Sequence, residues 1–236
     1  ELTFDDGGTA KADAGHLWLA YHAYDRLKSP RVPRMVDTAT LAATLRVDQG
    51  ARAAWSLPLA GPAQYPERLL PVHPYVLGAW LGDGTSRLPE LTFHLDDRFI
   101  FDRCDALAGG GGRVTPIKKR EHLARGRIGG KAFREALKGL GVMGRKGSKF
   151  IPEAYLHGSI EQRRELLAGL MDTDGTFQKS DSEASFVALT LCNSVLARQA
   201  LELVRSLGFK AHVSARAAKI HGRTTSTAWT IRFTAR

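Results

Sequence analysis

Two aspartates stand out as residues that could do chemistry, because each is followed by a glycine at the end of an apolar segment. Asp83 precedes Gly84, and Asp174 precedes Gly175. Two nearby carboxylates that leave room for water suit Mg²⁺. The phosphates of a nucleic acid would supply the remaining ligands, a pattern suited to metal-assisted phosphodiester hydrolysis. A single Asp-Gly pair is far more often an ordinary turn, but this pair occurs twice at matching places.

The segments that carry these acids are predicted to be helices over residues 74–81 and 160–171. Each contains a small residue at the third place of its motif, Gly78 and Gly169, with an alanine beside it. Small residues let two helix backbones approach closely, and glycine after the acid lets the chain turn sharply. Two such helices packed about a pseudo-twofold axis would deliver the two carboxylates side by side at one end.

Each predicted helix opens a repeated series of elements, which indicates an internal duplication. The first copy continues with a strand (90–94), an N-cap at Asp96, a helix (99–107), two strands (113–118 and 123–128) and a helix (132–140). The second continues with a strand (186–191), an N-cap at Asn193, a helix (195–207) and two strands (209–215 and 228–234). Ser159 and Gln162 have capping-box spacing. We expect the second copy to lack the closing helix, since the sequence stops at Arg236.

Residues 167–175, Leu-Ala-Gly-Leu-Met-Asp-Thr-Asp-Gly, closely resemble the LAGLIDADG signature of homing endonucleases and depart from it at two places. Residues 76–84 are a looser copy that keeps the first glycine and the final Asp-Gly. The resemblance implies an α+β fold of two pseudo-symmetric αββαββα units with saddle-shaped antiparallel sheets on DNA, at 67–158 and 159–236. It also implies the site residues, with one acid per active site. The catalytic and metal-binding residues are Asp83 and Asp174, and the further metal-site residues are Gly82 and Thr173.

Residues 147–152 resemble an intein block that carries a catalytic lysine, and Lys149 matches that position. A lysine near a scissile phosphate can stabilise developing negative charge or orient the attacking water. From its position alone, Lys149 would count as one of many exposed lysines. Its counterpart in the second copy is expected beyond Arg236, which leaves the second active site in question. Mg²⁺ is the expected cofactor, and Mn²⁺ is expected to substitute.

Residues 12–18 resemble the histidine-containing block of intein splicing domains, and His16 would match the residue that activates the N-terminal splice junction. Asp13 stands where that block usually has threonine, so a histidine without chemistry is equally compatible. We therefore expect residues 1–66 to be a partial, β-rich, Hint-like segment that performs no splicing, since the terminal splicing residues are missing. Residues 69–84 resemble inteins lodged in bacterial replicative DNA helicases, which makes such a helicase the expected host protein.

The net charge of +10, from 34 Lys and Arg against 24 Asp and Glu, favours a polyanionic partner such as DNA. A generic basic protein kept soluble by its charge has the same composition. Residues that alternate along strands are expected to read the major groove, and basic runs to contact phosphates. The DNA-binding candidates are Thr92, His94, Lys118, Lys119, Arg120, Arg125, Arg127, Arg216, Arg223, Arg232 and Thr234. Thr190 and Thr230 are further readers, and residues 219–227 are expected to form a loop. Each could instead belong to a solvated surface.

The remaining composition narrows the class of protein. No apolar run could span a bilayer, no signal-peptide pattern opens the chain, and Cys104 and Cys192 are expected to be reduced core thiols. We expect a monomeric endonuclease that cuts both strands of a long asymmetric DNA site, in the cytoplasm of a bacterium and at its nucleoid. The alternatives are a catalytically inactive LAGLIDADG DNA-binding protein and an intein fragment with a degenerate nuclease. Retention of Asp83 and Asp174 argues against the first, and the missing splice-junction residues argue against the second.

Overall fold

The computed structural model describes residues 1–25, 28, 30–118, 120–144, 147–178, 186–220 and 223–234, except the side chains of 178, 219 and 220. The candidate Lys119 lies outside the described residues. The chain divides into two compact units, residues 1–60 and 61–236. In the described part of the chain, no helix is long and apolar enough to cross a membrane.

Residues 1–60 form a small unit made mainly of short antiparallel strands. Its elements are β1 (Leu2–Thr3), β2 (Thr9–Ala10), β3 (Leu17–His22), β4 (Arg34–Asp37), α1 (Thr38–Ala43), β5 (Arg46–Val47), β6 (Arg52–Ala53) and β7 (Trp55–Ser56). The strands β4, β3 and β7 form one sheet in that order, and β1–β2 and β5–β6 are two separate pairs. Asp37 caps α1 by accepting a hydrogen bond from the Thr40 amide at 2.7 Å, as its sequence position predicted.

Residues 61–236 contain the duplicated elements and most of the hydrophobic core. The first half has α2 (Pro74–Asp83), β8 (Glu90–His94), α3 (Arg98–Leu107), β9 (Arg113–Pro116), β10 (Leu123–Arg127) and α4 (Lys131–Gly139). Next come α5 (Glu153–Leu156), α6 (Ile160–Asp174), β11 (Gly175–Gln178), β12 (Phe186–Leu191), α7 (Ser194–Ser206), β13 (Ala211–Ile220) and β14 (Arg223–Phe233). Two antiparallel sheets result, in the orders β8-β10-β9 and β11-β12-β14-β13. The predicted mixture of helices with antiparallel sheets is confirmed.

The two halves differ in the strand that follows the motif helix. After α6, β11 pairs with β12 over four residues. After α2, the described residues contribute only the single bridge between Gly84 and Leu91. The short connection to β8 contains Pro89, which has no N–H to donate to a ladder. The first unit therefore lacks one full strand of the predicted αββαββα order.

The helix starts of the two copies also differ from one another. The Asn193 side chain caps α7 by accepting from the amides of Val195 at 3.0 Å and Leu196 at 3.2 Å, as predicted. The predicted N-cap at Asp96 is wrong, because a turn of 3₁₀-helix shifts the start of α3 by one residue. Asp97 holds the N-cap position instead, without a side-chain capping bond.

Two further predictions are corrected by the structure. Residues 219–227 were expected to be a loop, but β13 extends to Ile220 and β14 begins at Arg223. The threonines of this segment are β-branched and favour extended backbone. Cys104 is a buried thiol as expected, whereas Cys192 is exposed.

Candidate active site and nucleic-acid interface

The helices α2 and α6 touch through their backbones, which requires glycine at the contact points. A Cβ on Gly78 would collide with the carbonyl oxygen of Leu166, and a Cβ on Gly169 with that of Tyr75. Only a residue without a side chain fits such a contact. The axial position of each helix against the other is therefore fixed, and their C-terminal ends lie together.

The four predicted metal-site residues meet at these helix ends. Asp83 ends α2 and Asp174 ends α6. A Cβ on Gly82 would lie 3.1 Å from the Oδ2 atom of Asp174 and would collide with the side chain of Thr173. The Thr173 hydroxyl is already engaged, since it donates to carbonyl oxygens of its own helix at 3.1 Å. The two carboxylates are therefore the side-chain groups here that remain available to bind a metal ion.

Lys149 joins the acids by binding the end of α2. Its Nζ atom donates to the carbonyl oxygens of Trp80 (2.9 Å), Leu81 (3.0 Å), Gly82 (3.1 Å) and Gly84 (2.6 Å). An ammonium group has three N–H donors, so these four acceptors share them. Carbonyls at a helix C-terminus have no partner within the helix and attract cations. Lys149 therefore fixes the turn that carries Asp83 and adds a positive charge there.

Burial and the neighbouring charges shift the pKa values of the two acids and the lysine at this site. Burial and, to a smaller extent, the charge of Asp83 raise the pKa of Asp174 to about 6, against the opposing effect of Lys149. Desolvation also raises the pKa of Asp83, against the effect of Lys149 and with a contribution from Asp97. Burial lowers the pKa of Lys149 to about 8, although Asp174 and Asp83 favour its charged form. A divalent cation between the two carboxylates would relieve their repulsion.

The groups at this site suit a metal ion that takes its remaining ligands from outside the protein. Among the described residues, no group of three or more His, Cys, Asp or Glu side chains is arranged to hold a metal. Two carboxylates with room for water and phosphate oxygens suit Mg²⁺, which dehydrates reluctantly and is usually bound by one or two carboxylates. The residues present therefore fit the expected cofactor.

A pocket of about 210 Å³ adjoins Asp83 and contains two acids that were not predicted, Asp97 and Asp172. The Oδ2 atom of Asp172 accepts a hydrogen bond from the Tyr75 hydroxyl at 2.6 Å. The Arg103 guanidinium lies 3.7 Å from the centre of the Tyr75 ring. Asp172 belongs to the second motif, so its place in that motif could have indicated it. Nothing in the sequence distinguishes Asp97 from its neighbour Asp96 as the residue that lines the pocket.

One face of the first sheet carries many of the predicted DNA-binding side chains. Across its three strands, Thr92, Arg125 and Thr115 lie directly opposite one another. The alternate residues on these strands, such as Leu91 and Ala124, are buried in the core. By strand alternation, the side chains on the outer face are Glu90, Thr92, His94, Arg113, Thr115, Arg125 and Arg127. Lys118 and Arg120 are exposed in the turn between β9 and β10.

The outer face of the second sheet also carries predicted DNA-binding side chains. Arg232 lies between Ala188 and His212 in the register, and Arg216 lies opposite Ala228. Arg223 and Thr234, near the two ends of β14, are also exposed. The hydroxyls of Thr190 and Thr230 lie 3.1 Å apart and bond to each other. Thr230 is buried, so its expected role as a base reader is not supported.

His16 lies in the other unit, immediately before β3. It is exposed, and its ring contacts the Trp18 ring edge-on at 4.7 Å. Its carbonyl oxygen accepts a hydrogen bond from the Thr38 amide at 3.0 Å. The backbone of His16 is therefore held by a hydrogen bond within the 1–60 unit.

Comparison with known proteins yields one family match and one similar sequence. Residues 150–236 match the homing endonuclease family, over less than half of the chain. The chain is also 35% identical over 247 aligned residues to the replicative DNA helicase DnaB of Mycobacterium intracellulare. That alignment covers 99% of this chain but 38% of the helicase.

Solved structures with a similar arrangement include variants of the homing endonuclease I-DmoI, at a TM-score of 0.45 and a sequence identity of 11%. That alignment covers 70% of this chain and 88% of the I-DmoI chain. I-DmoI in complex with DNA and Ca gives the same score and identity, with 83% of that chain covered. The N-terminal LAGLIDADG domain of DUF199/WhiA gives 0.41 and 8%, covering 69% of this chain and 76% of that one. The resemblance to homing endonucleases is confirmed by the match of residues 150–236 to the homing endonuclease family.

Proposed function

We propose that this chain is a site-specific LAGLIDADG homing endonuclease that makes a Mg²⁺-dependent double-strand break in a long DNA target. Mn²⁺ would substitute for Mg²⁺. The observation that carries the proposal is the meeting of Asp83 and Asp174 at the adjoining ends of α2 and α6, with Lys149 bound to the same helix end. The homing endonuclease match of residues 150–236 supports the same activity.

The reaction is hydrolysis of a phosphodiester. The oxygen of a water molecule bonds to phosphorus, one P–O bond to a bridging oxygen breaks, and the proton of the water ends on the leaving oxygen. When bound, the metal would neutralise charge on the phosphate and make water more acidic. Asp83 and Asp174 would hold it through their carboxylates. Lys149 would hold the end of α2 in place and offset negative charge that develops on the phosphate.

Two acids on two repeated helices favour two cuts, one in each strand. In this proposal residues 67–158 and 159–236 are pseudo-symmetric halves of a monomer, and each half contacts one half of an asymmetric target. The outer faces of the two sheets would lie in the major groove, where each base pair presents its own pattern of donors and acceptors. The different side chains on the two faces would read different sequences.

The origin of the chain follows from its similarity to a helicase. Nearly the whole chain aligns with 38% of the Mycobacterium intracellulare protein. We infer that the chain is part of an intein lodged in a bacterial replicative DNA helicase, with residues 1–66 as a partial splicing segment and His16 as its remnant. The uninterrupted helicase gene would then contain the target, and the enzyme would act in the bacterial cytoplasm at the nucleoid.

A plasmid that carries the uninterrupted helicase gene tests this function. With Mg²⁺ we expect one linear product, and with EDTA in place of the metal we expect uncut plasmid. Binding of the plasmid insert without any cut under either condition would contradict the nuclease. That result would favour a catalytically inactive DNA-binding protein instead.

A further inference from the structure

The first sheet ends, on the side away from the acids, at a pocket of about 530 Å³. Four cationic side chains line it, Arg113 on β9, Arg127 on β10, and Lys131 and Arg134 on α4. Among the described residues, none of the four has an ion-pair partner. Glu135 also lines the pocket, but its carboxylate pairs with Lys138 at 3.1 Å. Glu90 lies opposite Arg127 in the strand register, so the four cationic side chains still outnumber the two nearby carboxylates.

The walls of this pocket are held in place by a carboxylate from α3. The two oxygens of Asp105 accept hydrogen bonds from the amides of Gly112 at 3.0 Å and Gly129 at 2.8 Å. Gly112 precedes β9 and Gly129 follows β10, so one side chain fixes both turns. Gly129 has a φ of +54°, in the left-handed region that favours glycine. The four cations thus project from a fixed frame.

The Arg134 side chain and the start of α4 both present hydrogen-bond donors in this region. The Nε atom of Arg134 is buried and has no hydrogen-bond partner there. A buried donor without an acceptor is costly, so such atoms usually indicate a partner that comes from outside. No side chain caps the start of α4 at Gly130, and free helix amides favour an anion. An anionic group in the pocket would lie beside the Arg134 side chain and the start of α4.

We propose that this pocket binds a phosphate group, and that the phosphate belongs to the backbone of DNA lying along the first sheet. This inference rests on the proposed function. Arg127 and Arg113 lie opposite Glu90 in the register, on the same outer face as Arg125. His94, at the other end of β8, lines the pocket beside Asp83. Leu91 and Thr92 also line that pocket, whereas Pro89 lines the cationic pocket, so the two pockets adjoin successive parts of the same chain segment.

The test is the salt dependence of DNA binding. Fluorescence anisotropy would follow the binding of a labelled duplex spanning the insertion point in the helicase gene. Each phosphate contact contributes about one to the slope of log K against log salt concentration. We expect Lys131→Ala and Arg134→Met each to lower that slope by about one. The control, Arg164→Ala, removes an exposed arginine of α6 that does not line the pocket, and it should leave the slope unchanged. Melting curves would verify that each variant is folded.

Unchanged slopes in both pocket variants would overturn the inference. Failure of the wild-type protein to bind the duplex would instead count against the endonuclease, and inorganic phosphate would then decide about the pocket. If phosphate raises the melting temperature of the wild type but not of Lys131→Ala, compared with chloride at equal ionic strength, the pocket takes free phosphate and the DNA source is wrong. No rise in either protein would overturn phosphate binding altogether.

Discussion

Gly78 and Gly169 occupy equivalent places in the two central helices, and each lies against the backbone of the other helix. The missing side chain of Gly78 leaves room for the Leu166 carbonyl, and that of Gly169 leaves room for the Tyr75 carbonyl. The position of Asp83 relative to Asp174 is therefore set by two backbone contacts. Any side chain at either glycine must push the helices apart and separate the acids.

Gly169→Ala is expected to destabilise the protein by about 1–3 kcal/mol, the usual cost of an extra methyl group in a packed core. It should also lower cleavage, because the acids move apart. Gly139→Ala is the control, since no heavy atom lies within 4 Å of a Cβ at the end of α4. Alanine favours helix over glycine, so this control should melt no lower than the wild type. Equal melting temperatures for Gly169→Ala and the wild type would contradict the packing.

Asp174 makes stability depend on pH. Its pKa is raised to about 6 in the folded protein, from the ordinary value of 3.8. The stabilising effect of the protonated carboxyl is therefore full below about pH 4 and is lost as the pH rises through about 6. In metal-free buffer, Asp174→Asn should match the wild type near pH 4 and exceed it at pH 7, by at most roughly 3 kcal/mol. Urea unfolding at both pH values would measure this.

The control for that experiment is Asp102→Asn, which removes a carboxylate from an exposed ion pair on α3. It should shift stability little at either pH, because exposed pairs contribute about 0–1 kcal/mol. Parallel stability curves for Asp174→Asn and the wild type across this pH range would contradict the strained acid pair.

Lys149 is expected to act on both folding and cleavage. Lys149→Met keeps the length of the side chain but removes the lysine donor from the Leu81 and Gly82 carbonyls, at about 1–3 kcal/mol for each buried group left unsatisfied. We expect a lower melting temperature and no detectable cleavage. Lys149→Arg keeps the charge and should recover part of the stability. A methionine variant as stable as the wild type would refute the role of Lys149 at the helix end.

Arg163 is a fully buried charge that ties the segment before α2 to the second half of the unit. Its guanidinium donates to the carbonyl oxygens of Gly158 (3.0 Å), Ser206 (2.6 Å) and Ala63. Arg163→Met should destabilise the protein, at about 1–3 kcal/mol for each buried carbonyl left without its donor. The adjacent Arg164 is exposed, so Arg164→Ala should change the unfolding midpoint very little. Similar effects of both variants would contradict this assignment.

Signals that act within a few residues could be predicted from the sequence. The capping box of Ser159 and Gln162, the N-cap at Asn193 and the glycines of the motif helices all lie where they were expected. In each case the hydrogen bond or contact depends on residues within one turn of helix, or on a motif that occurs twice. The expectation that the two acids lie side by side followed from the same repetition.

Contacts between distant segments could not be predicted in this way. Lys149 binds carbonyls more than sixty positions away in the sequence, and no spacing rule indicates such a pair. Asp97, and not the predicted Asp96, is the N-cap of α3, because one 3₁₀ turn precedes the helix. Two adjacent aspartates give no indication of such a turn. The phosphate pocket combines side chains of β9, β10 and α4, so its charges become a site only in the folded sheet.

Cleavage of a supercoiled plasmid by three proteins tests the central claim most directly. The wild type, Asp83→Asn and Asp174→Asn would be compared in Mg²⁺ on the uninterrupted helicase gene, with anisotropy to verify that all three bind it. The account predicts that the wild type linearises the plasmid and that neither variant does, although both bind. A double-strand cut by either variant at the wild-type rate would contradict the assignment of these two carboxylates as the catalytic metal ligands.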